Sequence, residues 1–354
     1  MILELSKSET TLSSVSKTEP VLLCAADDNY VKPLAVMLHS AASNLRVGHH
    51  LNVVLMDGGI GESSWTGLRE TLYGLPITIH VLQPDRDEFS DLGTSHHITH
   101  TAYFRLLAAR LLPDSIDKVI YLDSDVLVKD DLMELWDMKL EGNYCLAAID
   151  IACPFVNAYA AQKKHKKTLK PAIPHFAAIS PISNWQELSL DGAAHYFNSG
   201  VMVLNLARWR EEAIDQKLLA CLRDNAQYVW CWDQYALNVV FAGQWKTLPS
   251  RWNQGYHVFE YPDETHSPIS QSEFIEMRDD PAVIHFTTEF KPWDFRPYHP
   301  LRGKFYDALD ETAWNGWRPR QPEFNLRRWW DRQAVGFIRN WLINYRKIRC
   351  LFTS

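Results

Sequence analysis

Four short apolar runs in this chain each end on an aspartate. Val21–Ala26 runs into Asp27-Asp28-Asn29, residues 51–56 into Asp57-Gly58-Gly59, Lys118–Leu122 into Asp123-Ser124-Asp125, and residues 143–149 into Asp150. Short runs without polar alternation predict strands buried on both faces. Between them lie segments of helical character: residues 32–42, with Pro33 near the start, 62–73, ending at Gly74, and 101–112, stopping at Pro113. A further strand is predicted at 77–81. This alternation predicts an α/β fold, a Rossmann-like domain with a mainly parallel sheet covered on both faces. Ligands then belong at the carboxyl ends of the strands, where the aspartates stand.

The second half is less regular. A strand is predicted within 197–206, helices at 210–223 and 234–241, and a short strand at 283–286. Residues 151–190 contain Pro154, Pro171, Pro174, Pro181 and the run Lys163-Lys164-His165-Lys166-Lys167. That composition predicts a solvated loop, with a lid or acceptor-binding loop as the sharper alternative.

The 36 Lys and Arg against 43 Asp and Glu leave a net charge of −7, which argues against a surface given over to nucleic acid. The charge is uneven. Residues 327–349 hold seven Arg or Lys and one acid, Asp331, a local charge of +6 that leaves −13 on the rest. On a helical wheel of 326–354, Trp330, Ala334, Phe337, Trp341, Tyr345, Ile348 and Phe352 form one stripe, with Arg328, Arg332, Arg339 and Arg346 opposite. A basic face backed by a Trp-rich face fits a helix lying in an anionic membrane interface, and a core-packing terminal helix is the plainer alternative. No window of about 18 apolar residues is present, so no span is expected. Residues 1–19 are polar without an apolar stretch and read as a disordered leader rather than a signal peptide. The six cysteines form no C-x-x-C pair and read as reduced thiols.

Asp123 and Asp125 are delivered to a sheet edge by the apolar Val119-Ile120-Tyr121-Leu122. Carboxylates placed there are costly unless a cation pairs with them, and hard oxygen ligands suit Mg²⁺ or Mn²⁺. An apolar strand followed by D-x-D also resembles the nucleophile motif of haloacid-dehalogenase-type phosphatases. That motif normally sits on the first strand, however, and its later Gly-Asp companion is missing here.

Several blocks recur in order: Ala25 through Tyr30; His97 through Arg105; Lys118 through Val128; Tyr196-Phe197-Asn198-Ser199-Gly200-Val201; Asp233-Gln234; and His285 through Lys291-Pro292-Trp293. On these the chain resembles glycosyltransferase family 8 over about residues 20–300. Those are retaining enzymes with a GT-A fold that use UDP-sugars, and the likeness is greatest to bacterial lipopolysaccharide and lipooligosaccharide galactosyl- and glucosyltransferases. The resemblance implies a catalytic domain at 20–295 and a C-terminal extension at 296–325, followed by the basic amphipathic, membrane-associating helix read at 326–354.

It also implies roles. Ala25, Asp27 and Asn29 would line the uridine site, with Tyr30 as a stacking wall. Arg105 would reach the donor, with His97, Thr101, Ser124 and Thr288 near it. Asp123, Asp125 and His285 would hold Mn²⁺ or Mg²⁺, and Lys291 would neutralise the diphosphate. Asp150, Asn198, Asp233 and Gln234 would surround the transferred hexose, with Gln234, Asp150 and Asp233 as the catalytic set. The chain departs from the family pattern at Thr288, where a glycine is usual, at His100 and Ala102, and at Tyr235, where a relative has Asp.

The implied reaction moves glucose or galactose from a UDP-hexose to a lipid-anchored oligosaccharide acceptor. It proceeds on the front face through an oxocarbenium-like transition state, at the inner face of a bacterial inner membrane. A covalent route through Asp150 or Asp233 stays open. So do a transferase acting on a protein or storage glycan and a silent sugar-nucleotide-binding protein.

Overall fold

The structure is a computed structural model that describes residues 15–93, 100–164, 180–288, 291–295 and 299–320. Its strands are β1 Val21–Ala26, β2 Leu51–Asp57, β3 Ile77–Leu82, β4 Lys118–Leu122, β5 Val126–Val128, β6 Cys145–Ile149, β7 Phe197–Asn205, β8 Trp245–Thr247, β9 Gln254–Gly255 and β10 Val283–His285. Seven of them form one sheet in the order β3-β2-β1-β4-β7-β6-β8. β1 and β6 are buried along their whole length, as strands covered on both faces must be.

The chain winds outward from β1 through β2 to β3, then returns to lay β4 on the other side of β1. The β1–β2, β2–β3 and β1–β4 pairs are all parallel. A crevice therefore opens beyond the carboxyl ends of β1 and β4, where the winding reverses. The sheet is mainly parallel, as expected, and β7 alone runs antiparallel to its neighbours β4 and β6.

β5 leaves this sheet directly after Asp125. It pairs antiparallel with β10, and β10 pairs parallel with β9, forming a second sheet of three short strands. Val126 lies opposite His285, and His285 opposite Gly255. Three strands of two or three residues thus bring Asp125, His285 and Asn253 to one place.

Other segments differ from expectation for local reasons. Residues 101–112 are not one α-helix. A 3-10 segment, His100–Leu107, precedes the short helix Ala108–Leu111, and its tighter winding lets Arg105 Nε donate to the Ala102 carbonyl at 3.1 Å. The helix expected at 210–223 is two, Leu206–Glu211 and Ile214–Asp224, broken where Ala213 takes φ +50°. The loop expected at 151–190 contains the helix Ala158–Lys164, with Ala160 N–H capped by Asn157. Its basic run lies outside the described residues from His165 onward.

Of the expected leader, only 15–19 is described, and it lies against the body. Val15 packs on the core, Lys17 pairs with Asp117 at 2.7 Å, and Glu19 accepts from His50 N–H. Further along the chain, helix Arg302–Leu309 buries Phe305, Tyr306 and Leu309 against Val36, Leu127, Ile284 and Phe286. The amphipathic helix expected at 326–354 lies outside the described residues. Among the described residues no helix is long and apolar enough to cross a membrane. Cys24, Cys145, Cys153, Cys221 and Cys231 are free thiols, the first three buried.

Candidate functional site

β4 ends inside the crevice, and the backbone N–H of Asp123 is held by the Gly200 carbonyl on β7 at 2.8 Å. Arg105 lies beside it, fully buried, with Nη2 2.8 Å from Asp123 Oδ1 and its guanidinium 4.2 Å from the Tyr121 ring centre. Tyr121 donates its hydroxyl to the same Asp123 oxygen at 2.8 Å. This leaves Asp123 Oδ2 facing His285, 3.6 Å from Nε2. Asp125 Oδ1 comes within 3.3 Å of the same nitrogen. Ligating atoms of Asp123, Asp125 and His285 all lie within 4.8 Å of one another.

The residues fit a divalent cation. Two carboxylate oxygens and an imidazole nitrogen are a hard-to-borderline donor set for Mg²⁺ or Mn²⁺. Gly200 closes the back of the cluster. A Cβ there would stand 2.2 Å from His285 Cε1 and 2.8 Å from Asp123 Oδ2, so no larger residue leaves the three ligands where they are.

Lys291 reaches the cluster from the far side. Its Nζ donates to Asp125 Oδ2 at 2.5 Å and to the Phe286 carbonyl at 2.7 Å. Burial alone would favour the neutral forms of both partners. Their mutual attraction outweighs it, lowering Asp125 with the help of His285 and raising Lys291. Beside Lys291, Thr288 holds φ +84°, a conformation that β-branched residues rarely adopt. Thr288→Gly should therefore relieve strain and stabilise the protein by about 1 kcal/mol. The thermal midpoint should rise by about 2 °C, and an unchanged or lower midpoint would contradict this.

At the end of β6, Asp150 accepts four hydrogen bonds. Oδ1 takes the backbone N–H groups of Ala152 and Cys153 at 2.9 and 3.4 Å. Oδ2 takes Asn198 Nδ2 at 3.1 Å and Gln234 Nε2 at 3.0 Å. The other end of Gln234 accepts from Ser199 N–H at 3.0 Å, so the amide is pinned at both ends.

Asp233, at the start of helix Trp232–Val240, is buried behind Arg105. Its Oδ2 lies 3.1 Å from Arg105 Nε, an ion contact without hydrogen-bond geometry. Burial pushes Asp233 up to about 6 despite the pull of Arg105, and the nearby Asp123 adds to the rise. A carboxyl raised on folding favours the folded state most below its unfolded value of about 3.9, and that contribution disappears as pH rises through about 6. The difference is worth about 3 kcal/mol. Asp233→Asn, which does not titrate, should gain that much on the wild type between pH 4 and pH 7. Urea unfolding of both proteins at each pH measures it, and a pH-independent difference would contradict it.

These groups line one cavity of about 640 Å³. Ala25, Asp27 and Tyr30 form its wall at the end of β1, with Thr101 and Ser124 beside them. Ser124 Oγ donates to the Ala25 carbonyl at 3.2 Å, and Tyr30 is braced edge-on by Trp293, ring centres 5.9 Å apart. Arg105, Asp123, Asp125, His285, Thr288 and Lys291 also line it, and so do Asp150, Asn198, Asp233 and Gln234.

Asn29 does not line the cavity. It sits on the exposed turn Asp28–Tyr30, where only its backbone N–H is engaged, by Asp27 Oδ1 at 3.0 Å. His97 lies outside the described residues. Asp57, the remaining strand-end aspartate, accepts from Gly59 and Ile60 N–H and caps its own turn. Sequence reasoning missed Tyr121, Trp230, Trp232, Asn253 and His257, all cavity-lining. The Trp-Cys-Trp string directly before Asp233 was a usable signal, whereas Asn253 had none.

Comparisons with known proteins agree on one family. The family model described as glycosyl transferase family 8 matches residues 21–296. The chain is 28% identical over 297 residues to General stress protein A of Bacillus subtilis, covering 83% of this chain and 94% of that protein. It is 27% identical over 306 residues to the lipopolysaccharide 1,2-glucosyltransferase of Escherichia coli K12, covering 83% and 78%. Among solved structures, the galactosyltransferase LgtC with donor and acceptor sugar analogues matches in fold. The TM-score is 0.67 at 24% identity, covering 86% of this chain and 98% of that one.

Proposed function

Since the chain belongs to glycosyltransferase family 8 and is a sugar-transferring enzyme of GT-A fold, we propose that it moves a glucose or galactose unit from a UDP-sugar to a lipopolysaccharide core oligosaccharide, with retention of anomeric configuration. The observation that carries this reading is the division of the cavity. One end gathers Asp123, Asp125, His285 and Lys291, and the other holds the locked Asp150–Gln234 pair. A diphosphate suits the first end and a hexose the second. Asp27, Tyr30 and Ala25 form the wall left for the uridine. The acceptor class rests on the likeness to the lipopolysaccharide glucosyltransferase.

Asp123, Asp125 and His285 would hold Mn²⁺ or Mg²⁺, which when bound offsets charge on the diphosphate. Lys291 supplies a fixed positive charge beside the same group. The bond between the anomeric carbon and the diphosphate oxygen breaks, and the acceptor hydroxyl bonds from the same face. The released phosphate oxygen takes the hydroxyl proton. Asp150 serves to orient Gln234 and Asn198 rather than as a nucleophile, because its oxygens already receive four hydrogen bonds. Asp233 is buried behind Arg105, which likewise favours front-face transfer over a covalent route. Gln234, pinned at both ends, presents a fixed dipole to the developing oxocarbenium. At the rim Trp230 is 56% exposed, an aromatic face against which an acceptor sugar ring can stack.

The acceptor's lipid anchor gives the basic stripe of 326–354 its purpose, peripheral attachment to the inner face of a bacterial inner membrane. The test is cation-dependent hydrolysis of UDP-glucose and UDP-galactose, followed by transfer to core oligosaccharide on anionic vesicles. The full chain is compared with His285→Ala and with a chain ending at 325. Turnover should fall at least 100-fold in the first variant, and vesicle binding alone should be lost in the second. Wild-type turnover by His285→Ala would overturn the metal assignment, and unchanged vesicle binding the membrane assignment.

A further inference from the structure

We propose that Asn253 is a positioning residue. It fixes a proton on His285 Nδ1, and so presents the bare Nε2 to the cation site, through a line of hydrogen bonds whose direction is set at Asp150. The inference rests on reading Asp123, Asp125 and His285 as the cation ligands.

The direction follows from chemistry at two fixed points. A carboxylate only accepts, so the Asn198 atom 3.1 Å from Asp150 Oδ2 must be the amide nitrogen. The other end of Asn198 lies 3.0 Å from the backbone N–H of Gly200, which only donates, so that end must be the oxygen. Asn198 Oδ1 in turn sits 2.9 Å from Asn253, which therefore donates through Nδ2. Asn253 is left with its oxygen facing His285 Nδ1 at 2.9 Å. An amide oxygen cannot donate, so the proton of this bond belongs to Nδ1.

His285 Nε2 then points its lone pair at Asp125 Oδ1 and Asp123 Oδ2, 3.3 and 3.6 Å away. Three electron-rich atoms converge where a cation completes them. Asn253 is 5% exposed and His285 5%, so water does not readily replace the amide. The same line ties the hexose end of the cavity to the cation end, since Asp150 also binds Gln234.

The tautomer is read first in the wild-type protein without metal, at pH 8.5, by two-bond ¹H–¹⁵N correlation of ¹⁵N-histidine-labelled protein. His285 is assigned by its absence from His285→Gln. A proton on Nδ1 is expected, and a bare Nδ1 would overturn the proposal. Free Mn²⁺ is then titrated by electron paramagnetic resonance without nucleotide. Asn253→Ala should weaken Mn²⁺ binding 10- to 100-fold. Asn253→Asp, whose carboxylate still accepts from Nδ1 but no longer donates to Asn198, should bind Mn²⁺ more tightly than Asn253→Ala. Binding by Asn253→Ala within twofold of wild type, or equal loss in both variants, would overturn the role. Failure of the wild type to bind Mn²⁺ would instead count against the cation site itself, and the tautomer measurement stands apart from that result.

Discussion

Gly200→Ala is expected to cost the protein its cation and at least 100-fold of its turnover without replacing a ligand. The added methyl carbon would lie 2.2 Å from His285 Cε1, 2.7 Å from Nδ1 and 2.8 Å from Asp123 Oδ2, all closer than non-bonded atoms sit. Both side chains are held elsewhere. His285 is tied to Asn253, and Asp123 to Arg105 and Tyr121. Neither can retreat without breaking a buried hydrogen bond or ion pair, so the imidazole must swing out of line with the carboxylates. The same peptide unit holds the Asp123 backbone, which transmits any shift of β7 to the D-x-D turn. Mn²⁺ titration, with circular dichroism to confirm folding, measures the effect. Cation affinity within threefold of wild type would show that the cluster tolerates a methyl group and would sink the argument.

Asp125→Asn is expected to remove turnover by 10³-fold or more and also to destabilise the fold. Its partner Lys291 is 13% exposed, and Asp125 itself 11%. Removing one charge of a buried pair leaves the other unpaired, at a cost of about 3–5 kcal/mol. Adding Lys291→Met removes the stranded ammonium and replaces it with an apolar chain of similar length. The double variant should recover most of the lost stability and none of the turnover. Chemical denaturation and UDP-sugar hydrolysis on the same samples separate the two effects. If the double variant were no more stable than Asp125→Asn, the pair would not be the electrostatic unit described.

The parts of the site legible from the hydrophobic pattern alone end apolar runs, whereas Arg105, Asn198, Asp233, Gln234 and Lys291 came through the family resemblance. Asp27, Asp123 and Asp150 each follow a buried strand and His285 ends one, so the pattern of hydrophobicity points at them. The same rule misleads at Asp57, whose oxygen is taken up by its own turn. It says nothing of Asn29, next to Tyr30 in the chain but outside the cavity, because successive side chains on a 3-10 turn point about 120° apart. Convergence itself was not legible. β5, β9 and β10 hold two or three residues each, too few to show any period, yet their pairing sets His285 beside Asp125. Asn253 was invisible for a different reason. It is uncharged, and its contribution is the orientation of a dipole, which depends on neighbours more than 50 residues away in the chain.

The family match ends at residue 296, but the cooperative unit does not. Phe305, Tyr306 and Leu309 close over Ile284 and Phe286, the residues on either side of His285, and Trp314 fills the space against Gly67 of the helix Glu62–Leu72. A chain cut where the match stops would strip the outer layer from the strand that bears a cation ligand. The practical boundary for an active fragment therefore falls beyond Trp317, whose ring receives Lys32 at 4.8 Å.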